Sequence, residues 1–138
     1  MSQLRLKVFT PSGLKYDDMV DMVQIHGSNS FLGILPNHAP LISDVIQNKI
    51  IIRVNGEDFF CCSGDGVVTV DNNMVKVIVS FFEKAEDIDL DRALASKERA
   101  EGRLLTHTNE VDIKRAEASL SRALLRIEVA GTVIKWFI

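Results

Sequence analysis

No stretch of the chain stays apolar for the roughly 18 residues that a membrane-spanning helix needs. The N-terminus, Met1-Ser2-Gln3-Leu4-Arg5-Leu6-Lys7, alternates polar and apolar residues where a secretory leader would carry an apolar core. That predicts a chain that stays in the compartment where it is made. Cysteine is scarce, and Cys61 and Cys62 are adjacent. On a strand they point to opposite faces, so a disulfide between them is strained. They read as reduced and at least partly core, in a cytosolic protein. Neither has a partnered base, so neither reads as a catalytic nucleophile.

Other signatures are missing too. His26, His38 and His107 lie far apart, with no metal-ligand spacing. Ser63-Gly64-Asp65-Gly66 lacks the lysine of a phosphate-cradling hydrolase loop. There are no paired acidic metal ligands beside a residue that could position an attacking water. The net charge of −3 gives no reason to expect nucleic acid. A small β-rich enzyme is therefore disfavoured.

The first part reads as strands. Leu4, Leu6 and Val8 alternate with Arg5 and Lys7 at a period of two, before Pro11-Ser12-Gly13 punctuates. Val20, Met22 and Val23-Gln24-Ile25 read as another strand, closed by Gly27-Ser28-Asn29-Ser30. Lys49–Val54, then Asn55-Gly56, then Asp58–Cys62 is a strong hairpin signal. Val67–Val70, Asp71-Asn72-Asn73 and Met74–Val79 form a second hairpin. Many short strands with polar turns suggest a sandwich or barrel.

The pattern changes after about Lys84, where Ala, Leu, Glu, Lys and Arg take over. One helix starts near Asp87 to Asp91, where acids suit the N-terminal dipole. Its apolar positions are Leu90, Ala93, Leu94, Ala100, Leu104 and Leu105. Thr106-His107-Thr108-Asn109 breaks it, and a second helix starts near Glu110 to Asp112. Ile113, Ala116, Leu120, Ala123, Ile127 and Ala130 then recur at helical spacing, a seam for an antiparallel neighbour. Gly131 is expected to stop this helix. Residues 132–138 favour extended structure, and Trp136-Phe137-Ile138 either packs on its own domain or grips a partner. The chain thus divides into 1–84 and 85–138.

The first helix region is acidic and the body of the second is basic, so opposite charges favour their pairing. Each exposed pair contributes only about 0–1 kcal/mol. So alanine-rich a hairpin buries little area and is expected to be marginal unless something docks on it. If the helices fold back near Thr108, Arg92 falls opposite roughly Leu124, level with Arg122 and Arg126. Arg99 lies two turns along from Arg92. Such a cluster needs counter-charge, part of it from Asp89 and Glu83. A phosphate chain can offset more, through contacts worth roughly 1.5–3 kcal/mol each. Arginines on amphipathic helices also simply form solvated faces, and spacing alone leaves both readings open.

Phe31-Leu32-Gly33-Ile34-Leu35-Pro36-Asn37-His38-Ala39-Pro40-Leu41, Ser63-Gly64-Asp65-Gly66 before a Val-rich strand, and Ile88-Asp89-Leu90-Asp91-Arg92-Ala93 before a two-helix tail occur in this order. Together, across the whole chain, they resemble the epsilon subunits of bacterial F-type ATP synthases. Asp65 stands where that family usually has a second glycine, and Ser30 where glycine is frequent. The resemblance implies a ten-stranded β-sandwich (1–84) followed by an antiparallel α-hairpin (85–138). It implies a non-catalytic rotor subunit of a complex that couples proton or sodium translocation to ATP synthesis. The sandwich would bind the gamma subunit and the polar loops of the c-ring, with Phe31, Gly33, Pro36, His38, Pro40 and Ile42 in the contact region. His38 also reads as a turn histidine bonded to neighbouring backbone.

Ile88-Asp89-x-x-Arg92-Ala93 further resembles the ATP-binding motif of many bacterial members. It implies a regulatory site formed by Glu83, Ile88, Asp89, Arg92, Ala93, Arg99, Arg122 and Arg126. The ligand is ATP, with or without Mg2+, and no cofactor is obligatory. Asp89 cannot favour phosphate; it caps the helix, orients Arg92 or receives a base or ribose donor. ATP is expected to stabilise a folded-down hairpin. Without ATP the hairpin opens toward the alpha and beta subunits and inhibits hydrolysis. The resemblance places the protein peripherally on the cytoplasmic face of the cell membrane, with no bilayer insertion. The alternative is a nucleotide-sensing module outside any rotary complex, which would not co-purify with gamma and the catalytic subunits.

Overall fold

The computed structural model describes residues 2–106 and 108–137, with side chains as far as residue 132. Two compact units divide the chain, Met1–Lys84 and Ala85–Ile138. The first holds ten strands: β1 (Leu4–Thr10), β2 (Gly13–Val20), β3 (Met22–His26), β4 (Phe31–Ile34), β5 (Leu41–Val45), β6 (Asn48–Val54), β7 (Glu57–Ser63), β8 (Gly66–Asp71), β9 (Met74–Val79) and β10 (Phe82–Lys84). The second holds a 3-10 turn (Ala85–Asp87), α1 (Leu90–Thr106) and α2 (Glu110–Phe137).

The strands form two five-stranded sheets, ordered β2-β1-β9-β8-β5 and β10-β7-β6-β3-β4. The alternation seen at the N-terminus is physical. Leu4, Leu6 and Val8 point inward and are at most 1% exposed. Val68, Val75 and Val77 join them from one sheet, and Val23, Ile25, Ile34, Ile50 and Ile52 from the other. Burying each such side chain stabilises by about 1.5–3 kcal/mol. β1 pairs antiparallel with β2 but parallel with β9. Gly66 permits close approach of the neighbouring strand, because a Cβ there would collide with the Ile78 carbonyl. Cys61 joins the core, and Cys62 is also buried; neither is in a disulfide.

Both sequence-read hairpin turns are present, with two successive positive φ values each. Asn55 and Gly56 have φ of 51° and 82°, and Asn72 and Asn73 have 49° and 60°. This is the type I′ requirement, whose twist matches that of the flanking strands. Asp65 adopts no positive φ, so aspartate is tolerated where the family has glycine. Its carboxylate accepts the Gln47 amide at 2.7 Å. Ser30 likewise avoids the left-handed region, and its carbonyl accepts the Gly27 amide at 2.8 Å.

Three expectations need correction. Val20 does not share a strand with Met22; it ends β2 in one sheet, and β3 starts the other. Asp21 marks the change of sheet, its carboxylate taking the Gly56 amide at 3.0 Å. Gly131 does not stop the second helix, and the residues after it are not extended: α2 runs on to Phe137. Glycine in a helix costs about 1 kcal/mol relative to alanine, but a nucleated helix extends cheaply through one such residue. The Trp136-Phe137-Ile138 side chains lie outside the described residues. Finally, the second-helix seam is only partly the expected one. Ala116, Ala123 and Ala130 are buried, whereas Ile113, Leu120 and Ile127 are half-buried and Leu125 and Val129 are buried instead.

Candidate functional site

In the hairpin, Asp89 caps α1. Its carboxylate accepts the Arg92 amide at 3.0 Å, and its carbonyl accepts that of Ala93 at 3.0 Å. This is one of the roles the sequence allowed it, and it satisfies amides that a helix start leaves unpaired. Asn109 does the same for α2, accepting the Val111 amide at 2.8 Å. Ile88, half-buried, donates its amide to the Ala85 carbonyl at 3.3 Å.

The helices pack along alanines. Ala93 and Ala100, two turns apart on α1, are 4% and 1% exposed. Ala116 and Ala123, at the same spacing on α2, are each 1% exposed. Equal spacing, with α1 ending at Thr106 and α2 beginning at Glu110, brings Ala93 level with Ala123 and Ala100 with Ala116. Arg92 then stands level with Leu124. Ala130 falls level with the 3-10 turn, against which α2 packs.

The same seam fixes direction. Arg92, Arg99 and Arg122 each immediately precede a seam alanine. In antiparallel helices, residues one step before the contact point to the same side of the pair, because each is turned by about 100° from the seam. Arg126, one turn beyond Arg122, lies on that side as well. Arg92 and Arg99 are exposed; Arg122 and Arg126 are half-buried. Arg99 donates to Ser96 Oγ at 3.0 Å and Arg122 to Ser119 Oγ at 3.3 Å, each held back against its own helix. Like charges gathered along one side repel and invite an anion. Sequence reasoning left out Arg115, which precedes Ala116 and falls on the same side toward the turn; its place before a seam alanine was the available signal. Glu83 lies on β10 of the sandwich, opposite Cys62, and so belongs to the other unit.

The second group is the 31–42 segment. Phe31 and Gly33 lie on β4, and Ile42 on β5 in the other sheet. Between them Leu35-Pro36-Asn37-His38 is a turn closed by the His38 amide on the Leu35 carbonyl at 3.2 Å. Proline followed by Asn37 at φ 63° is the type II pattern. His38 Nδ1 lies 2.7 Å from the Ala39 carbonyl, the neighbouring-backbone bond of a turn histidine. Phe31, Leu35 and Ile42 are 54%, 56% and 78% exposed, and Pro40 also sits in solvent. Apolar side chains held outward on a sheet-to-sheet crossing suit contact with another surface. Nearby, Asp44 accepts the Ser28 amide, and the Ser28 hydrogen bonds hold its carboxyl below the usual carboxylate range.

Among the described residues, no group of three or more His, Cys, Asp or Glu side chains could hold a metal. Among them, too, no helix is long and apolar enough to cross a membrane. The fold is a β-sandwich joined to a helical hairpin: the sandwich presents exposed apolar residues on the 31–42 segment, and the helical pair presents guanidinium groups.

Residues 3–85 match the β-sandwich domain of the ATP synthase delta/epsilon chain, and residues 86–131 match its long α-helix domain. The ATP synthase epsilon chain of Desulfitobacterium hafniense is 43% identical over 125 residues, covering 91% of this chain and 94% of that one. That of Bacillus velezensis is 35% identical over 131 residues, covering 95% and 99%. Among solved structures, a chain of the Euglena gracilis mitochondrial ATP synthase (OSCP/F1/c-ring) superposes with a TM-score of 0.67 at 13% identity, covering 100% of this chain and 83% of that one. A chain of the Tetrahymena thermophila mitochondrial ATP synthase central stalk and c-ring gives 0.63 at 14%, covering 94% and 97%. These two likenesses speak to the fold. The chain belongs to the epsilon-chain family of F-type ATP synthases, whose members are non-catalytic stalk subunits.

Proposed function

We propose that this chain is a nucleotide-responsive stalk subunit whose hairpin clasps ATP without cleaving it. The single observation behind this is the buried alanine register, which sets Arg92, Arg99, Arg122 and Arg126 along one side of the helical pair. A triphosphate, alone or with Mg2+, offers counter-charge to that side. Ile88, Asp89 and Ala93 build the helix start beside Arg92. Bound ATP favours the folded hairpin. When ATP is scarce the hairpin opens, and its basic second helix reaches the alpha and beta subunits and blocks hydrolysis. A ligand shifts such a balance only through its preference for one form. Moving from 1:99 to 99:1 takes about 5.5 kcal/mol, within reach of a few charged contacts at roughly 1.5–3 kcal/mol each.

The sandwich in this reading docks on the gamma subunit and on polar loops of the c-ring through Phe31, Gly33, Pro36, His38, Pro40 and Ile42. The protein then sits peripherally on the cytoplasmic face of the membrane, in a complex coupling proton or sodium flow to ATP synthesis. Calorimetric titration of the whole chain with ATP tests the sensing role. Arg92→Ala and Arg126→Ala are each expected to weaken binding about tenfold or more. Unchanged affinity in both variants overturns it.

A further inference from the structure

We propose that Asn73 is a positioning residue for the partner-facing loop, its side-chain amide latching the 35–38 turn to the start of β1. This rests on the reading that the 31–42 segment meets a partner.

In a type II turn the amide of the third residue is left without a partner inside the turn. In the Leu35–His38 turn that amide belongs to Asn37. It donates to Asn73 Oδ1 at 2.8 Å, across a separation of 36 residues. The other end of the same side chain, Nδ2, donates to the Gln3 carbonyl at 2.8 Å. The Asn73 backbone carbonyl accepts the Arg5 amide at 3.1 Å. One residue thus ties the turn between β4 and β5, the β8–β9 turn and the first strand.

The choice of residue is informative. Asn73 occupies the second central position of a type I′ turn at φ 60°, where glycine fits without strain. The Asn55-Gly56 turn of the other sheet has glycine there, and nothing lies within 4 Å of where a Cβ on Gly56 would sit. At Asn73 the chain keeps a side chain where the backbone alone favours none, and both ends of that side chain are hydrogen-bonded. A type II turn that lost the contact would remain closed through His38 and Leu35 but free to swing. Leu35 and His38 would swing with it.

The test uses the full chain and its gamma subunit. Asn73→Gly suits the backbone and removes only the latch, so thermal stability is expected to stay close to that of the parent. Amide exchange at Asn37 is expected to speed up about tenfold, and gamma affinity to fall by a similar factor. Asn73→Asp keeps an acceptor for the Asn37 amide but loses the donor to the Gln3 carbonyl, so it is expected to restore only part of both. Unchanged Asn37 exchange in Asn73→Gly overturns the latch. Faster exchange with unchanged gamma affinity supports the latch and overturns the partner-contact reading instead.

Discussion

The sandwich and the hairpin are held together by different materials. The sandwich buries Leu, Ile and Val side chains from two facing sheets. The hairpin seam is mostly alanine. Alanine lets helices come close but removes little apolar area from water, whereas each core Ile or Leu removes several times more. The difference suits one unit to serve as a fixed mount and the other as an element whose folded state a ligand can tip.

The sharpest way to break this contrast is to hollow the sandwich. Leu6→Ala, at a fully buried position, is expected to cost about 2–5 kcal/mol, read as a lower denaturant midpoint for loss of β signal. If that midpoint does not move, the sandwich is not the rigid unit. Overfilling the hairpin is next. Ala123→Leu, at a site 1% exposed, is expected to cost about 1–3 kcal/mol, seen as lost helical circular dichroism. A smaller effect follows from the cap: Asp89→Ala is expected to cost about 1 kcal/mol and to fray the start of α1, visible in amide exchange at Arg92.

The mildest test is acid. Asp21 lies below the ordinary value of 3.8, chiefly because the Gly56 amide and then Gln3 donate to it. Asp17 is lowered by its hydrogen bond from Arg5. A carboxyl depressed in the folded state contributes stability above its unfolded value and loses it as pH falls toward the folded one. The melting temperature of the sandwich is therefore expected to drop as pH falls through and below 3.8. Asp21→Asn is expected to flatten that dependence, and an equally steep acid profile in the variant removes Asp21 from the account.

Legibility followed burial. β1 and β9 alternate because one face is core, and both could be read in the chain. β2 could not: Gly13–Val20 is an edge strand, exposed nearly throughout, so solvent sets no period on Lys15, Asp17 and Asp18. β4, β5 and β10 are short, and β5 and β10 pair with β8 and β7 rather than with a neighbour in sequence, so they entered only through family resemblance. The helix pair was visible from its spacing, and folding it back near Thr108 already set Arg92 opposite roughly Leu124. Leu125 and Val129 were missed because they stand off the three-and-four repeat. The run of α2 past Gly131 was missed because a local breaker was weighed without the helix already built before it. Asn73 looked like turn filler, since the partner of its side chain is 36 residues away.

The parallel pairing of β1 with β9 has a consequence for biogenesis. During synthesis β1 finds β2 at once, but its other neighbour ends only at Val79. Until then its second edge stays open, and such an edge invites wrong pairing. The sheet therefore closes late, after nearly all of the sandwich has been synthesised, and any nascent fragment ending short of β9 is a candidate for aggregation or capture by a chaperone.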